Sequence, residues 1–181
     1  SIDANIVSEK PWLFTDEKQT DIILKIKQAG KTLEEVSINI SQGLKTGADK
    51  IFISDRFSFY EKDILVKVLK GEDIQRYRIF YKDKKAIFPY KRLISETIPM
   101  TEKEFKKSSI AYNYLVGYKD KLLDRDGGKI ETSNWFLFSR NQFINLVNKP
   151  KLITRDISQK PAFAFDSKGE YGLMGGYGII L

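Results

Sequence analysis

The sequence predicts a mixed α+β fold, one compact domain with mixed strands, one long helix and several short helices. Three observations carry that expectation. Apolar residues alternate with a period of two at Ile38 and Ile40, and again at Tyr77, Ile79 and Tyr81, as half-buried strands require. Thr32 with Glu35, and Thr101 with Glu104, have the spacing of reciprocal helix N-terminal caps. No internal repeat, low-complexity tract or flexible linker divides the 181 residues, a length that can bury one sizeable core.

Taken in order, a first helix is expected from Asp16 to Gln28. Thr15 or Asp16 caps it, acids fill its first turn, and Ile22, Ile23 and Ile26 form a narrow apolar stripe before Gly30 stops it. The Thr32 box gives one short turn, and Ile38 and Ile40 begin a strand. The loop from Gly43 to Gly47 then leads into a second strand at Lys50–Ser54. Residues Tyr60 to Leu69 read as a helix ending at Gly71. "RYRIFYKDKKAIFPY" reads as a β-hairpin turning at "KDKK", with Pro89 confining its second strand to an edge or an end. The longest helix is expected from Glu102 to Leu123, although Gly117 weakens it by up to ~1 kcal/mol relative to Ala. "DRDGGK" is a turn, "IETSNWFLF" a strand, "NQFINLV" a short helix and "KPKLITRDI" a strand. The tail "AFAFD…YGLMGGYGIIL" supplies two more strands.

Composition narrows the chemistry. Hydrophobic residues make up 41% and charged residues 30%, as in soluble globular proteins. No apolar stretch approaches the ~18 residues of a membrane span, and the N-terminus lacks the basic and apolar regions of a signal peptide. A cytoplasmic location is expected, with no membrane partner. Cysteine and histidine are both absent. That removes disulfides, thiolate and His-ligated metal sites, and Ser-His-Asp or Cys-His nucleophiles. Carboxylates, Lys and Tyr remain available for catalysis, but the balance moves toward a binding module. A net charge of +7 favours polyanionic partners, nucleic acid first and a membrane surface second.

The stretch "ISQGLKTGADKIFI", residues 40–53, brackets a Lys-Thr with glycines. It is not a nucleotide-binding P-loop. That motif needs Gly, four residues, then Gly-Lys-Ser/Thr opening a helix. Here Leu44 precedes Lys45, and the β-type run Ile51-Phe52-Ile53 follows.

Enzyme motifs are equally absent. The nearest string to an amino-methyltransferase Asn/Asp-Pro-Pro-Tyr/Phe is "FPY" at 88–90, which lacks the amide donor. No Gly-x-Gly cofactor loop follows a strand. Glu104-Phe105-Lys106 matches the end of an Asp…Glu-x-Lys metal nuclease, but it falls on an expected helix without a suitable upstream Asp. No catalytic and no metal-ligating residue is assigned.

The basic and aromatic positions are the remaining signal. Lys45 and Thr46 lie in the opening loop; Arg76, Tyr77 and Arg78 begin the expected hairpin; Lys91 and Arg92 follow Tyr90. Lys119, Lys121 and Arg125 end the long helix, and Arg155 lies among the last strands. Such cations neutralise phosphates, and Arg also pairs bidentately with guanine in the major groove. Small loop glycines let backbone N–H groups approach a phosphate. The bland alternatives are solubilising surface charge, and Tyr, Phe and Trp135 as core residues.

The order of the motifs is more specific than any one of them. "ISQGLKTGADKIFI", "VLKGEDIQRYRI", "AIFPY", "YNYLVGYKDKLLDRD", "NWFLFSR", "KPKLITRDIS" and "FAFD" follow one another. Over about residues 12–180 the chain resembles the TaqI-like C-terminal specificity domain. That domain recognises the DNA target in certain bacterial adenine-N6 methyltransferases of type II restriction–modification systems, and type I specificity subunits carry related domains.

The resemblance implies one DNA target-recognition domain over residues 1–181, the C-terminal fragment of a larger methyltransferase or restriction–modification polypeptide. Its partners would be double-stranded DNA and the N-terminal methyltransferase domain of the same polypeptide. No cofactor belongs to this chain; AdoMet would sit in the catalytic domain, whose loop and Pro-Pro-Tyr motif are missing here. Gly43, Lys45, Thr46 and Gly47 match the family's glycine-Lys/Arg-Thr-Gly loop. Gly71, Asp73, Arg76 and Tyr77 match its Gly-x-Asp-Ile-x-x-Tyr segment, Leu122, Leu123 and Arg125 the end of its helix, and Trp135 its Asn-Trp strand. The DNA-binding set expected is therefore Gly43, Lys45, Thr46, Gly47, Arg76, Tyr77, Arg78, Tyr90, Lys91, Arg125 and Arg155, with Asp73, Tyr77 and Trp135 as possible scaffold. The competing readings are a protein-interaction module docking a larger enzyme, and a metal-dependent nuclease.

Overall fold

The computed structural model describes residues 17–57 and 61–181. The fold is mixed α+β, and the chain divides after Ser37 into two units.

The first unit contains α1, Glu17–Ala29, and α2, Leu33–Val36. The expected caps of α1, Thr15 and Asp16, lie outside the described residues, as does Trp12. The box at α2 is formed as expected: Glu35 N–H donates to Thr32 Oγ1 at 3.2 Å, and Thr32 N–H donates back to Glu35 Oε2 at 2.6 Å. These bonds hold the Glu35 carboxyl below its ordinary pKa, the Thr32 backbone bond having the larger effect.

The second unit, residues 38–181, is built on two four-stranded sheets. In the first sheet β1 (Asn39–Gln42), β12 (Tyr177–Ile180), β9 (Lys151–Thr154) and β10 (Phe163–Asp166) lie side by side in that order, all antiparallel. In the second, β11 (Tyr171–Leu173) runs parallel to β3 (Leu65–Leu69). The antiparallel strands β6 (Lys85–Ile87) and β2 (Ile53–Ser54) complete that sheet. Two ribbons stand apart, β4 (Ile74–Gln75) with β5 (Arg78–Ile79), and β7 (Tyr90–Arg92) with β8 (Thr97–Pro99).

Several expected elements change character. The helix expected to 69 is, from Lys62 on, one 3-10 turn followed by β3; Tyr60 lies outside the described residues. Ile64, Leu65, Val66, Val68 and Leu69 form a short apolar run that suits a buried strand or a buried helix equally, and β-branched Val decides for the strand. The expected 77–88 hairpin is not formed: β6 pairs with β3 and β2 instead, and the ribbon closes tightly at Arg76–Tyr77. Residues 49–52 form one helical turn, α3, ahead of a shortened β2. "IETSNWFLF" is a 3-10 turn and not a strand, because Trp135, Phe136, Leu137 and Phe138 are all buried and a strand would turn alternate side chains outward. The tail holds three strands, β10, β11 and β12.

The helical stretch expected from Glu102 to Leu123 is present as three successive segments: α4 (Glu102–Phe105), α5 (Ser109–Val116) and α6 (Lys119–Leu123). Gly117 marks the second break, as its low helix propensity favours. The Thr101–Glu104 box opens α4. Among the described residues no helix is long and apolar enough to cross a membrane.

The core joins both sheets to α4–α6 through aromatic side chains. Phe52, Phe88, Tyr90 and Phe138 meet at ring-centroid distances of 4.8–5.8 Å, and Phe105 stacks on Phe136 at 5.2 Å. The core face of the first sheet also buries an ion pair, Lys151 Nζ to Asp166 Oδ2 at 2.7 Å. Asp166 additionally accepts from the N–H groups of Glu170 and Tyr171. Burial pulls the Lys151 pKa down and Asp166 opposes it.

Candidate nucleic-acid interface

All four strands of the first sheet place one end on a common rim. Gln42 of β1 faces Tyr177 of β12, Tyr177 faces Thr154 of β9, and Thr154 faces Phe163 of β10. Three inter-strand spacings of ~4.8 Å make this row about 14 Å long. From it spring the Gly43–Gly47 loop after β1, the Arg155–Ala162 loop after β9 and the Met174–Gly176 turn before β12. A cleft opens at each end of the row.

The first cleft, about 650 Å³, is lined by Lys45, Lys50, Arg140, Asp49 and Asp126 among others. Its loop is held by tight packing. A Cβ at Gly43 would lie 2.6 Å from the Leu173 carbonyl oxygen, and one at Gly47, where φ is +73°, would lie 2.0 Å from Ser139 Oγ. Both positions therefore demand glycine, Gly43 for close backbone approach and Gly47 for its left-handed backbone as well. Thr46 is fully buried; its hydroxyl donates to Asp49 Oδ1 at 2.5 Å and accepts from the Ala48 N–H at 3.0 Å, shaping the entry to α3.

Arg125 fastens this loop from beneath. It is buried, and its guanidinium donates four times to backbone carbonyls. Nε reaches Leu122 O at 2.7 Å; one terminal nitrogen reaches Thr46 O at 2.5 Å and Leu137 O at 2.9 Å; the other reaches Trp135 O at 2.7 Å. The Phe52 ring lies 5.4 Å away. Burial lowers the guanidinium's pKa, yet Arg remains the charged donor at any ordinary pH. Its donors are turned inward, onto the chain itself.

Lys45 is half-buried and pairs across an isolated antiparallel bridge with exposed Arg140, whose N–H donates to Lys45 O at 3.2 Å. Among the described residues no carboxylate lies within ion-pair distance of Lys45, Arg140 or Lys50.

The second cleft, about 870 Å³, is lined by Gln75, Arg76, Tyr77, Arg155, Lys160 and Phe163, with others from the 157–162 segment. Gln75 and Arg78 pair across the ribbon, leaving Arg76 and Tyr77 as a two-residue turn. Tyr77 has φ +64°, a region that L side chains populate at a cost of roughly 1–2 kcal/mol. It is nevertheless 77% exposed, so no burial of the ring offsets that strain. The Arg76 guanidinium lies 5.1 Å from the ring centroid, and Tyr77 N–H anchors the turn on Phe163 O at 2.7 Å. Arg155 Nε donates to Ile74 O at 2.6 Å, so one edge of that side chain is fixed. Arg78 is exposed. Asp73 is buried beneath the turn; it accepts from Lys70 N–H at 2.8 Å and faces Lys82 Nζ at 3.3 Å.

Of the expected site residues, Gly43, Arg78, Tyr90, Lys91 and Arg125 line neither cleft. Tyr90 is buried, its hydroxyl donating to Asn141 Oδ1 and accepting from Phe138 N–H, each at 2.8 Å; burial raises its pKa. Lys91 pairs with Glu104 at 2.8 Å. That hydrogen bond, with those from Thr101, holds Glu104 down at about 2. Trp135 is fully buried.

Comparison with known proteins can be set on this geometry. The chain is similar to type II methyltransferases. Over 159 residues, 87% of the chain, it is 26% identical to Type II methyltransferase M.PaeR7I of Pseudomonas aeruginosa. Over 152 residues, 82% of the chain, it is 24% identical to Type II methyltransferase M.BstVI of Geobacillus stearothermophilus. Each match takes up 26% of the relative, so the chain spans about a quarter of the length of the curated relatives it matches. No protein-family model matches.

Three cations of the clefts, Lys50, Arg140 and Lys160, were not among the residues the sequence singled out. Arg140 meets Lys45 across 95 positions, through one bridge with no strand pattern around it, and nothing local signals such a pairing. Lys50 was read as the first residue of a strand, which hid its place on the cleft wall.

Proposed function

We propose that this chain recognises a double-stranded DNA target on behalf of a site-specific adenine-N6 methyltransferase of a bacterial restriction–modification system. In that reading the catalytic, AdoMet-binding domain belongs to the rest of the polypeptide. The observation that carries it is the Arg76–Tyr77 turn, an exposed aromatic ring and guanidinium held in a strained backbone beside a cleft containing Arg155 and Lys160. Strain kept at an exposed turn points to use of the side chain by a partner. A ring with a stacked guanidinium suits base edges and faces. The similarity to methyltransferases over most of the chain supports the choice of DNA as that partner.

The Lys45 loop then holds the phosphate backbone, which sets orientation without reading sequence. Arg125, Tyr90, Thr46 and the two loop glycines serve as scaffold. While the duplex is held at the rim, the catalytic domain would take the target adenine out of the stack.

Selection from a randomised duplex pool at moderate salt, followed by sequencing of the bound fraction, tests the reading. A recovered asymmetric motif is expected, and Tyr77→Ala or Arg76→Ala should degrade it more than Lys45→Ala does. Binding without enrichment would reduce the chain to a basic module. No binding even at low salt would overturn the reading in favour of a protein-docking role.

A further inference from the structure

The Lys45–Arg140 bridge sets two cations directly opposite each other on an antiparallel pair. Opposite residues of such a pair have Cβ atoms about 5 Å apart, and like charges there repel. Among the described residues neither cation forms an ion pair with a carboxylate. The acids lining the cleft are Asp49, which accepts the Thr46 hydroxyl, and Asp126. Neither forms an ion pair with Lys45 or Arg140. Beneath them the Thr46 carbonyl, next in sequence to Lys45, already carries the buried Arg125 guanidinium. The loop is thus fixed in place by one cation while presenting two more.

We infer that Lys45 and Arg140 form a clamp on a single phosphodiester of duplex DNA, with Arg140 the partner that the loop sequence does not reveal. The inference rests on the DNA-recognition reading and assigns a new residue to it. An ammonium and a guanidinium about 5 Å apart at their Cβ atoms can share the two non-bridging oxygens of one phosphate. Arg supplies two parallel N–H groups and Lys a point charge. Asp49 and Asp126 also line the cleft, so its charge is mixed and favours one phosphate held at the Lys45–Arg140 pair over several.

One shared phosphate and two separate phosphates give different salt dependences. Each phosphate neutralised on B-DNA contributes about 0.9 to the slope of log K against log salt. At 0.1 M salt, relative to 1 M, that equals about an eightfold change in affinity. The experiment compares the unsubstituted chain with Lys45→Ala, Arg140→Ala and the double variant, measuring affinity for a short fluorescent duplex over a salt series.

The clamp predicts that the double variant loses about 0.9 of slope in total, while each single variant weakens binding but, with one cation still on the same phosphate, loses clearly less than that. A uniform, uncharged methylphosphonate scan along the duplex should find one position that weakens the unsubstituted chain and leaves the double variant unaffected. A loss near 1.8 of slope in the double variant would mean two independent phosphates and overturn the clamp. So would an Arg140→Ala variant binding as tightly as the parent. Failure of the parent to bind at low salt would overturn both the DNA reading and this inference. Thermal melting without DNA supplies the control: Arg140→Ala should melt no lower than the parent, since it removes a repulsion and no internal partner.

Discussion

Replacing Arg125 by Met separates scaffold from DNA contact. The substitution conserves much of the stem but removes donors to four backbone carbonyls, those of Leu122, Thr46, Leu137 and Trp135. A buried acceptor left without a donor costs about 1 kcal/mol or more. Thr46 O keeps partial satisfaction from the Ser139 N–H and hydroxyl, both 3.4 Å away. The expected loss is therefore about 3–4 kcal/mol. For a chain of this size that amounts to a fall in melting temperature of about 10 °C. Urea unfolding followed by tryptophan fluorescence should show a lower midpoint with an unchanged slope. Arg125→Lys should recover only part of the loss, because an ammonium cannot span four acceptors arranged around a planar fork. DNA affinity should be measured at a temperature where the variant is fully folded, and it should then lie close to that of the parent. If Arg125→Met costs under about 1 kcal/mol yet lowers DNA affinity tenfold or more, the side chain is a phosphate ligand and the scaffold assignment is wrong.

Other positions give equally direct tests. Tyr77→Gly relieves a left-handed backbone and should raise stability by about 0.5–1 kcal/mol in thermal melts, while weakening and blurring DNA selection. Lys151→Met leaves Asp166 charged and buried, and should cost about 3–5 kcal/mol; adding Asp166→Leu should return much of it in the same denaturant assay. Glu104, held at about 2 by Lys91 and Thr101, has a folded pKa below its unfolded one. Its contribution is thus present above the unfolded value and is lost as pH falls through about 2. Acid unfolding of Glu104→Gln should show a smaller pH dependence below pH 4 than the parent does.

Much of the fold was legible wherever the determinant was local. Both capping boxes, at Thr32 and Thr101, close with the hydrogen bonds their spacing implies. The strands at 151–154 and 163–166 follow from alternation with one face inward; the strand at 39–42 forms too, but with Ile38 and Ile40 exposed, not turned inward as their alternation implied. What failed was decided by distant partners. Residues 65–69 become a strand because they sit between β6 and β11, the latter paired to β3 from about a hundred positions further along the sequence. Residues 85–87 turn away from the nearest candidate strand for the same reason. The site was legible as a set of cations and less so as a division of labour. Arg125, Lys45 and Arg155 look alike as letters, and only tertiary hydrogen bonds show that the first is spent on the chain's own carbonyls.

The places where this chain breaks local rules lie together. A tyrosine occupies a backbone region where glycine belongs, and two cations face each other across a β-bridge. Each feature costs stability, and each lies on a wall of one of the two clefts at the ends of the same strand row. Solubility would not require either, since a Lys on any exposed face serves that purpose without repulsion or strain. Charge merely scattered over the surface would also be expected to find carboxylate partners about as often at the rim as elsewhere. Instead the ion pairs of Lys67, Lys82, Lys91, Lys106 and Lys151 all fall outside the two clefts. Under the proposed reading the common explanation is an anionic partner that relieves the Lys45–Arg140 repulsion at one end of the row and engages the Tyr77 ring at the other. Its reach must match a rim of about 14 Å, comparable to the ~12 Å width of the major groove of B-DNA. The duplex of the proposed function would meet both conditions at once; an isolated phosphate or nucleotide would meet only the first.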